Sequence, residues 1–139
     1  MAALCNICSC VSVTTKTDSD ETATRLTFAR DGHVARQTPV SRSTGTTVSL
    51  SGLFANMPVR VKELSKNKKR ELAKTVSLLQ GYAVSAVGVR VVCTHIPAPS
   101  AGSKSGAASG KREELICTEG GTLRENVARI FGGEFARSL

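Results

Sequence analysis

The sequence has no tryptophan, one tyrosine and four phenylalanines in 139 residues. A core built from it must therefore be aliphatic and β-branched. No window approaches the roughly eighteen consecutive apolar residues that a transmembrane helix needs, so no membrane partner is expected. Met1-Ala2-Ala3-Leu4-Cys5 lacks a cationic start, and polar residues interrupt every apolar stretch, so no secretory leader is expected either. The five cysteines are odd in number and three crowd at the start, a poor disulfide framework that fits a reducing compartment. Acids are also scarce: 11 Asp and Glu stand against 19 Lys and Arg, a net charge of +8. That balance favours polyanionic partners.

Catalytic and metal constellations are missing as well. Cys5-x-x-Cys8-x-Cys10 has no second Cys-x-x-Cys to complete four tetrahedral ligands, and His33 and His95 are isolated. Small semi-buried residues near a sheet edge explain the cluster better than zinc does. Nothing brings either histidine to Cys93 or Cys117. Asp18, Asp20 and Glu21 sit together in a polar turn, where solvated acids normally sit. No catalytic residue and no metal ligand is assigned.

What is present reads as strands followed by helices. Residues 7–16 alternate, with Ile7, Ser9, Val11 and Val13 on one face and Cys8, Cys10 and Ser12 on the other. A second strand spans 23–30, with Leu26 and Phe28 inward and Arg25 and Arg30 outward. Asp31-Gly32 turns the chain. A third strand runs 33–38 and ends before Pro39, and a fourth spans 46–50. The expected arrangement is an antiparallel meander beginning directly with a strand and lacking a helical layer. From Leu72 the apolar positions Leu72, Val76, Leu79, Ala83 and Ala86 form one helical stripe, with Asn67 or Ser65 as cap and Lys68, Lys69 and Lys74 on the opposite side. Val89, Val91 and Cys93 mark a strand that pairs with 113–118 across a flexible, low-complexity loop at 97–110. Thr122-Leu-Arg-Glu125 is a capping box. Leu123, Val127 and Ile130 supply the apolar side of its helix, and Gly132-Gly133 stops it.

Two stretches point to ligands. Arg60, Lys62, Lys66, Lys68, Lys69, Arg70 and Lys74 face only Glu63 and Glu71 over the same span. Such a run either tracks phosphates, with salt-sensitive binding, or is a solvated helix face with i,i+4 partners. Gly45-Thr46-Thr47 allows close approach of a backbone to a ligand and offers hydroxyls to a nucleotide or its bound water. An ordinary loop entering a strand has the same composition.

The order Gly45-Thr46-Thr47-Val48, then a buried Leu53-Phe54 knob, then Pro58-Val59-Arg60-Val61-Lys62 and a basic helix resembles MutL-type mismatch repair proteins. The segments 78–95, 116–132 and 3–17 resemble the eukaryotic postmeiotic-segregation branch of that family. The fold implied is α+β. Residues 1–60 resemble the last strands of the ATPase domain shared with gyrase, histidine kinases and the ninety-kilodalton heat-shock chaperone. Residues 61–139 resemble the first half of a transducer domain like that of a small ribosomal protein. By the same resemblance Gly45, Thr46 and Thr47 line the nucleotide pocket, and residues 60–74 either face nucleic acid or serve between the domains.

The implied full-length protein uses ATP and magnesium, pairs with a second MutL-type subunit, and acts in the nucleus on duplex DNA with a MutS-type partner. The family's water-activating Glu, its magnesium-binding Asn and its glycine-rich lid are expected before Met1, and the transducer lysine beyond Leu139. No ATP hydrolysis and no cofactor are then expected of these 139 residues alone. The rival reading is a non-enzymatic module that binds nucleic acid or protein through residues 60–74.

Overall fold

A computed structural model describes residues 1–97 and 112–138 of the chain. Apart from Pro97, the loop expected at 97–110 lies outside the described residues. The chain forms two compact units, Met1–Lys68 and Lys69–Leu139.

The first unit contains α1 (Ala2–Ile7), β1 (Cys10–Lys16), β2 (Ala23–Phe28), β3 (Val34–Val40), β4 (Gly45–Ser51) and α2 (Pro58–Lys66). Residues 2–7 are helical, so the strand expected from Ile7 begins instead at Cys10. The misleading signal was the alternation Ile7-Ser9-Val11. Ile7 and Val11 do meet one cluster, but from a helix and a strand. Cys5, Cys8 and Val11 are buried there, with Leu4, Ile7 and Phe28 packed against them. Excluding water from a side chain of this size contributes about 1.5–3 kcal/mol. The helix thus gives the sheet a local cover that the sequence reading did not anticipate. Cys8 and Cys10 also part company: Cys8 closes α1 and is buried, whereas Cys10 opens β1 and is exposed.

All strand pairs are antiparallel, in the order β3-β2-β1-β4. That order replaces the expected meander. β4 does not lie beside β3 but returns to the far side of β1, the Greek-key arrangement. Residues 41–44 must then cross three strand spacings, roughly 14 Å, which an extended connection can span. Arg42 fastens that connection. Its Nη1 donates to the Thr14 carbonyl at 2.8 Å and to Thr47 Oγ1 at 2.9 Å. Thr44 Oγ1 donates to Asp18 Oδ1 at 2.9 Å.

β3 runs through Pro39 to Val40 rather than stopping before the proline. It is an edge strand, so the missing N–H removes no ladder bond. The Asp31-Gly32 turn forms as expected. Gly32 has φ 88°, and a Cβ there would lie 2.8 Å from the Ala2 nitrogen, so glycine is required on both counts. Leu26 and Phe28 are half-buried, while Arg25 and Arg30 are exposed, as their alternation indicated.

The second unit contains α3 (Lys68–Ser85), β5 (Val92–His95), β6 (Glu113–Cys117), α4 (Leu123–Phe131) and α5 (Gly133–Arg137). α3 begins ahead of the expected Leu72. Asn67, expected as its cap, instead closes α2 through a backbone bond to the Glu63 carbonyl. The apolar stripe holds: Ala83 is fully buried, and Leu72, Val76, Leu79 and Ala86 are half-buried. At about 100° per residue, Arg70 and Lys74 lie opposite that stripe. Lys68 and Lys69, expected there too, flank it.

β5 pairs antiparallel with β6, with a register shift between Cys93 and Thr94. Val89 and Val91, expected in the strand, precede it and are held by one side chain. Buried Thr118 accepts from the Val91 N–H at 2.9 Å and donates to the Val89 carbonyl at 3.4 Å.

The capping box at α4 is formed in full. Glu125 Oε2 accepts from the Thr122 N–H at 2.7 Å, and Thr122 Oγ1 accepts from the Glu125 N–H at 3.4 Å. The apolar side differs from expectation. Leu123 is 53% exposed, Val127 is buried, and fully buried Asn126 occupies the inward position. Asn126 Nδ2 donates to the carbonyls of Val84 and Ala86 at 3.3 and 3.4 Å. The Val84 carbonyl at the end of α3 is met in this way, and the Ala86 carbonyl also accepts from the Val89 N–H at 3.3 Å. Gly132, at φ 94°, ends α4. Gly133, expected to be part of the same stop, begins α5.

Candidate functional site

Gly45-Thr46-Thr47 opens β4, on the sheet edge next to β1. Gly45 pairs with Lys16, Thr46 with Thr15 and Thr47 with Thr14. Gly45 adopts φ 134°, a conformation open to glycine and strained for other residues. A Cβ there would also meet the Arg42 guanidinium at 3.4 Å.

Adjacent residues of a strand point to opposite faces, so the two threonines cannot serve one ligand lying on one face. Thr46 shares a face with Val48 and Leu50, and its hydroxyl lies 2.8 Å from that of Thr15. Thr47 lies on the opposite, polar face and accepts from Arg42 Nη1. Thr46 is exposed, as are Val48 at 53% and Leu50 at 49%. The Thr46 side therefore offers a hydroxyl beside uncovered apolar surface. That chemistry suits the flat ring of a base. It provides no cradle for phosphates. Among the described residues no three His, Cys, Asp or Glu side chains gather to hold a metal ion. The Thr46 side thus has the chemistry to border the base end of a nucleotide.

Leu53 and Phe54 do not form the buried knob that was expected. Leu53 is 46% exposed and Phe54 is half-buried at φ 60°. Phe54 donates its N–H to the Ile7 carbonyl at 2.6 Å. Its ring lies under the Arg60 guanidinium, 5.5 Å from the centroid, a cation–π contact. Asn56 Nδ2 donates to the Asn6 carbonyl at 2.8 Å. The turn between β4 and α2 is tied to α1 by these bonds.

The basic run divides between helices. Pro58 starts α2 at its first turn, where its missing N–H leaves no partner wanting. Arg60, Lys62 and Lys66 follow on α2, while Lys68, Lys69, Arg70 and Lys74 belong to α3. All seven are exposed. Glu71 accepts from Lys74 at 3.1 Å and from Arg70 at 3.4 Å. The Lys74 hydrogen bond, followed by the charges and the Arg70 bond, holds the Glu71 carboxyl below its ordinary range. Arg42, Thr118 and Asn126 were missed in the sequence. None belongs to a motif, and each acts on backbone groups distant along the chain.

No protein-family model matches the chain. Curated relatives match it over its whole length. It is 38% identical to the mismatch repair endonuclease pms1 of Dictyostelium discoideum over 100% of the chain and 13% of that protein. It is 39% identical to the mismatch repair endonuclease PMS2 of Mus musculus over 99% of the chain and 15% of that protein. The chain therefore spans only a small part of the relatives it matches.

Among solved structures it resembles the N-terminal domain of a DNA repair protein, with a TM-score of 0.78 and 34% identity over 94% of this chain and 35% of that one. It also shares its fold with the ADP-complexed ATPase domain of MutL from Aquifex aeolicus. That TM-score is 0.71, at 19% identity over 93% of this chain and 46% of that one. Matches running from end to end favour a family segment over an independent basic module. In sequence and fold, this chain belongs to the MutL-type DNA mismatch repair proteins, in their PMS1/PMS2 branch.

Proposed function

We propose that residues 1–60 close the ATP-binding domain of a MutL-type protein and that residues 61–139 begin its transducer domain. In this reading Thr46 and the backbone at Gly45 border the base end of the nucleotide, with the Thr46 hydroxyl bonding the base or its water. Thr47 supports the strand from the other face. ATP and magnesium would be completed by family residues outside this segment, which supply the phosphate cradle and the attacking water. The basic residues of α2 and α3 would face duplex DNA. The whole protein would pair with a second MutL-type subunit and work in the nucleus with a MutS-type partner.

The observation that carries this reading is the match over 94% of the chain, at 34% identity, to the N-terminal domain of a DNA repair protein. A chimera tests it. Residues 1–139 replace the matching segment of the Dictyostelium relative, and ATP binding and mismatch repair are measured. Retention of both is expected, with Thr46→Val weakening nucleotide binding about tenfold, the effect of one lost hydrogen bond to a ligand. A chimera that folds but neither binds ATP nor supports repair overturns the proposal. So does a Thr46→Val chimera with unchanged affinity.

A further inference from the structure

The four strands of the first unit carry no aspartate or glutamate at all. Their polar face does carry cations. Arg25 stands opposite Thr14 on one side and Thr38 on the other. Lys16 lies two residues beyond Thr14, and Arg36 lies two residues before Thr38, towards the other end of the sheet. Lys16, Arg25 and Arg36 therefore form a diagonal row across β1, β2 and β3. Diagonal neighbours on one face lie about 7–8 Å apart. Arg42 reaches the same face from the β3–β4 connection through its bonds to Thr14 and Thr47.

None of these cations is in an ion pair among the described residues, whereas Arg70 and Lys74 both lean on Glu71. The nearest acids sit in the turns at the sheet's two ends, and some are already engaged. Asp20 accepts from Thr17 and Asp18 from Thr44. Arg25 and Arg36 are exposed.

We propose that this polar sheet face is a binding surface for the phosphate backbone of duplex DNA, separate from both the Thr46 edge and the basic helices. An isolated exposed cation gains little from one anion. A row of cations on an acid-free face gains from a polyanion by releasing its condensed counterions. Ser and Thr hydroxyls between the cations add neutral donors to phosphate oxygens. The face presents no aromatic ring, since Phe28 lies on the opposite side with Val11. Stacking on unpaired bases, the means by which single strands are held, is thus unavailable. That selects the duplex.

The test is a fluorescence-anisotropy titration of the 139-residue chain with matched and mismatched short duplexes over a salt series. Arg25→Gln/Arg36→Gln is expected to flatten the slope of log K against log salt by about 1.8, since each lost phosphate contact contributes about 0.9. Matched and mismatched duplexes should lose affinity equally, and Arg25→Lys/Arg36→Lys should keep the slope. Circular dichroism checks that the sheet survives. If the double variant unfolds, Arg36→Gln alone carries the same expectation at about 0.9.

An unchanged slope in a folded variant overturns the proposal. So does a loss of binding to phosphatidylserine vesicles with DNA binding intact, which would mark a membrane surface instead. Lys69→Gln/Arg70→Gln, run in parallel, separates this face from the helices. If only that variant flattens the slope, the sheet proposal falls while the helical reading stands.

Discussion

The two units of the chain are stabilised by different kinds of bond. In the first, backbone ladders join four antiparallel strands, and the tightest approach to main chain is at Gly32, where a Cβ would meet Ala2. In the second, which has only the short β5–β6 ladder, polar side chains take a larger part. Thr118 holds the stretch before β5, Asn126 closes the end of α3, and Thr122 with Glu125 opens α4. A unit dominated by ladders is therefore most sensitive where a Cβ would intrude. A unit joined by side chains is most sensitive where one donor or acceptor is removed. The lesson concerns where to look for fragile positions, since overall burial would not separate the two units.

The comparison breaks most sharply at Gly32. Gly32→Val places a branched Cβ at φ 88° and against the Ala2 backbone, with an expected cost of about 3 kcal/mol. Hydrogen exchange resolved by peptide should show the loss in residues 1–51 and little change in the second unit. The next effect is at Asn126. Asn126→Leu leaves the Val84 carbonyl without its donor and the Ala86 carbonyl with only the Val89 N–H, at about 2 kcal/mol, with faster exchange confined to the second unit. Either variant loosening both units equally would erase the distinction.

Smaller effects sharpen it. Thr122→Ala removes the cap of α4 and should cost about 1 kcal/mol, read as faster exchange in the first turn of that helix. The smallest is a pH effect. Hydrogen bonds from the Thr122 backbone N–H, then from its hydroxyl, hold the Glu125 carboxyl below its ordinary range. A depressed folded value means that the cap's contribution is whole at neutral pH. It declines as pH falls below the ordinary glutamate range and is gone once pH passes the depressed value. An NMR titration of the Thr122 amide should show this step, and Glu125→Gln should abolish it.

Much of the local structure was legible because its signals are short-range. Alternation marked β1, β2 and β4. The four-and-three spacing marked the buried line of α3, and Thr122 with Glu125 marked the start of α4. The failures share a cause. Residues 2–7 contain no period long enough to distinguish a helix from the strand after it. Pro39 reads as a stop until its strand is known to be an edge. The place of β4 beside β1 depends on backbone pairing between distant residues such as Val13 and Val48, which no short window contains. The candidate site was half legible. Gly-Thr-Thr could be found by its residues, but only strand register separates Thr46 from Thr47.

By itself, the sequence determined the aliphatic character of the core, the cationic balance, the helix cap and the family resemblance. Each depends on composition or on residues a few positions apart. The tertiary structure alone decided the strand order, the burial of Asn126 and Thr118, and the gathering of Lys16, Arg25, Arg36 and Arg42 on one acid-free face. Those outcomes follow from pairings between distant segments, whose bonds exist only once the chain has folded back on itself.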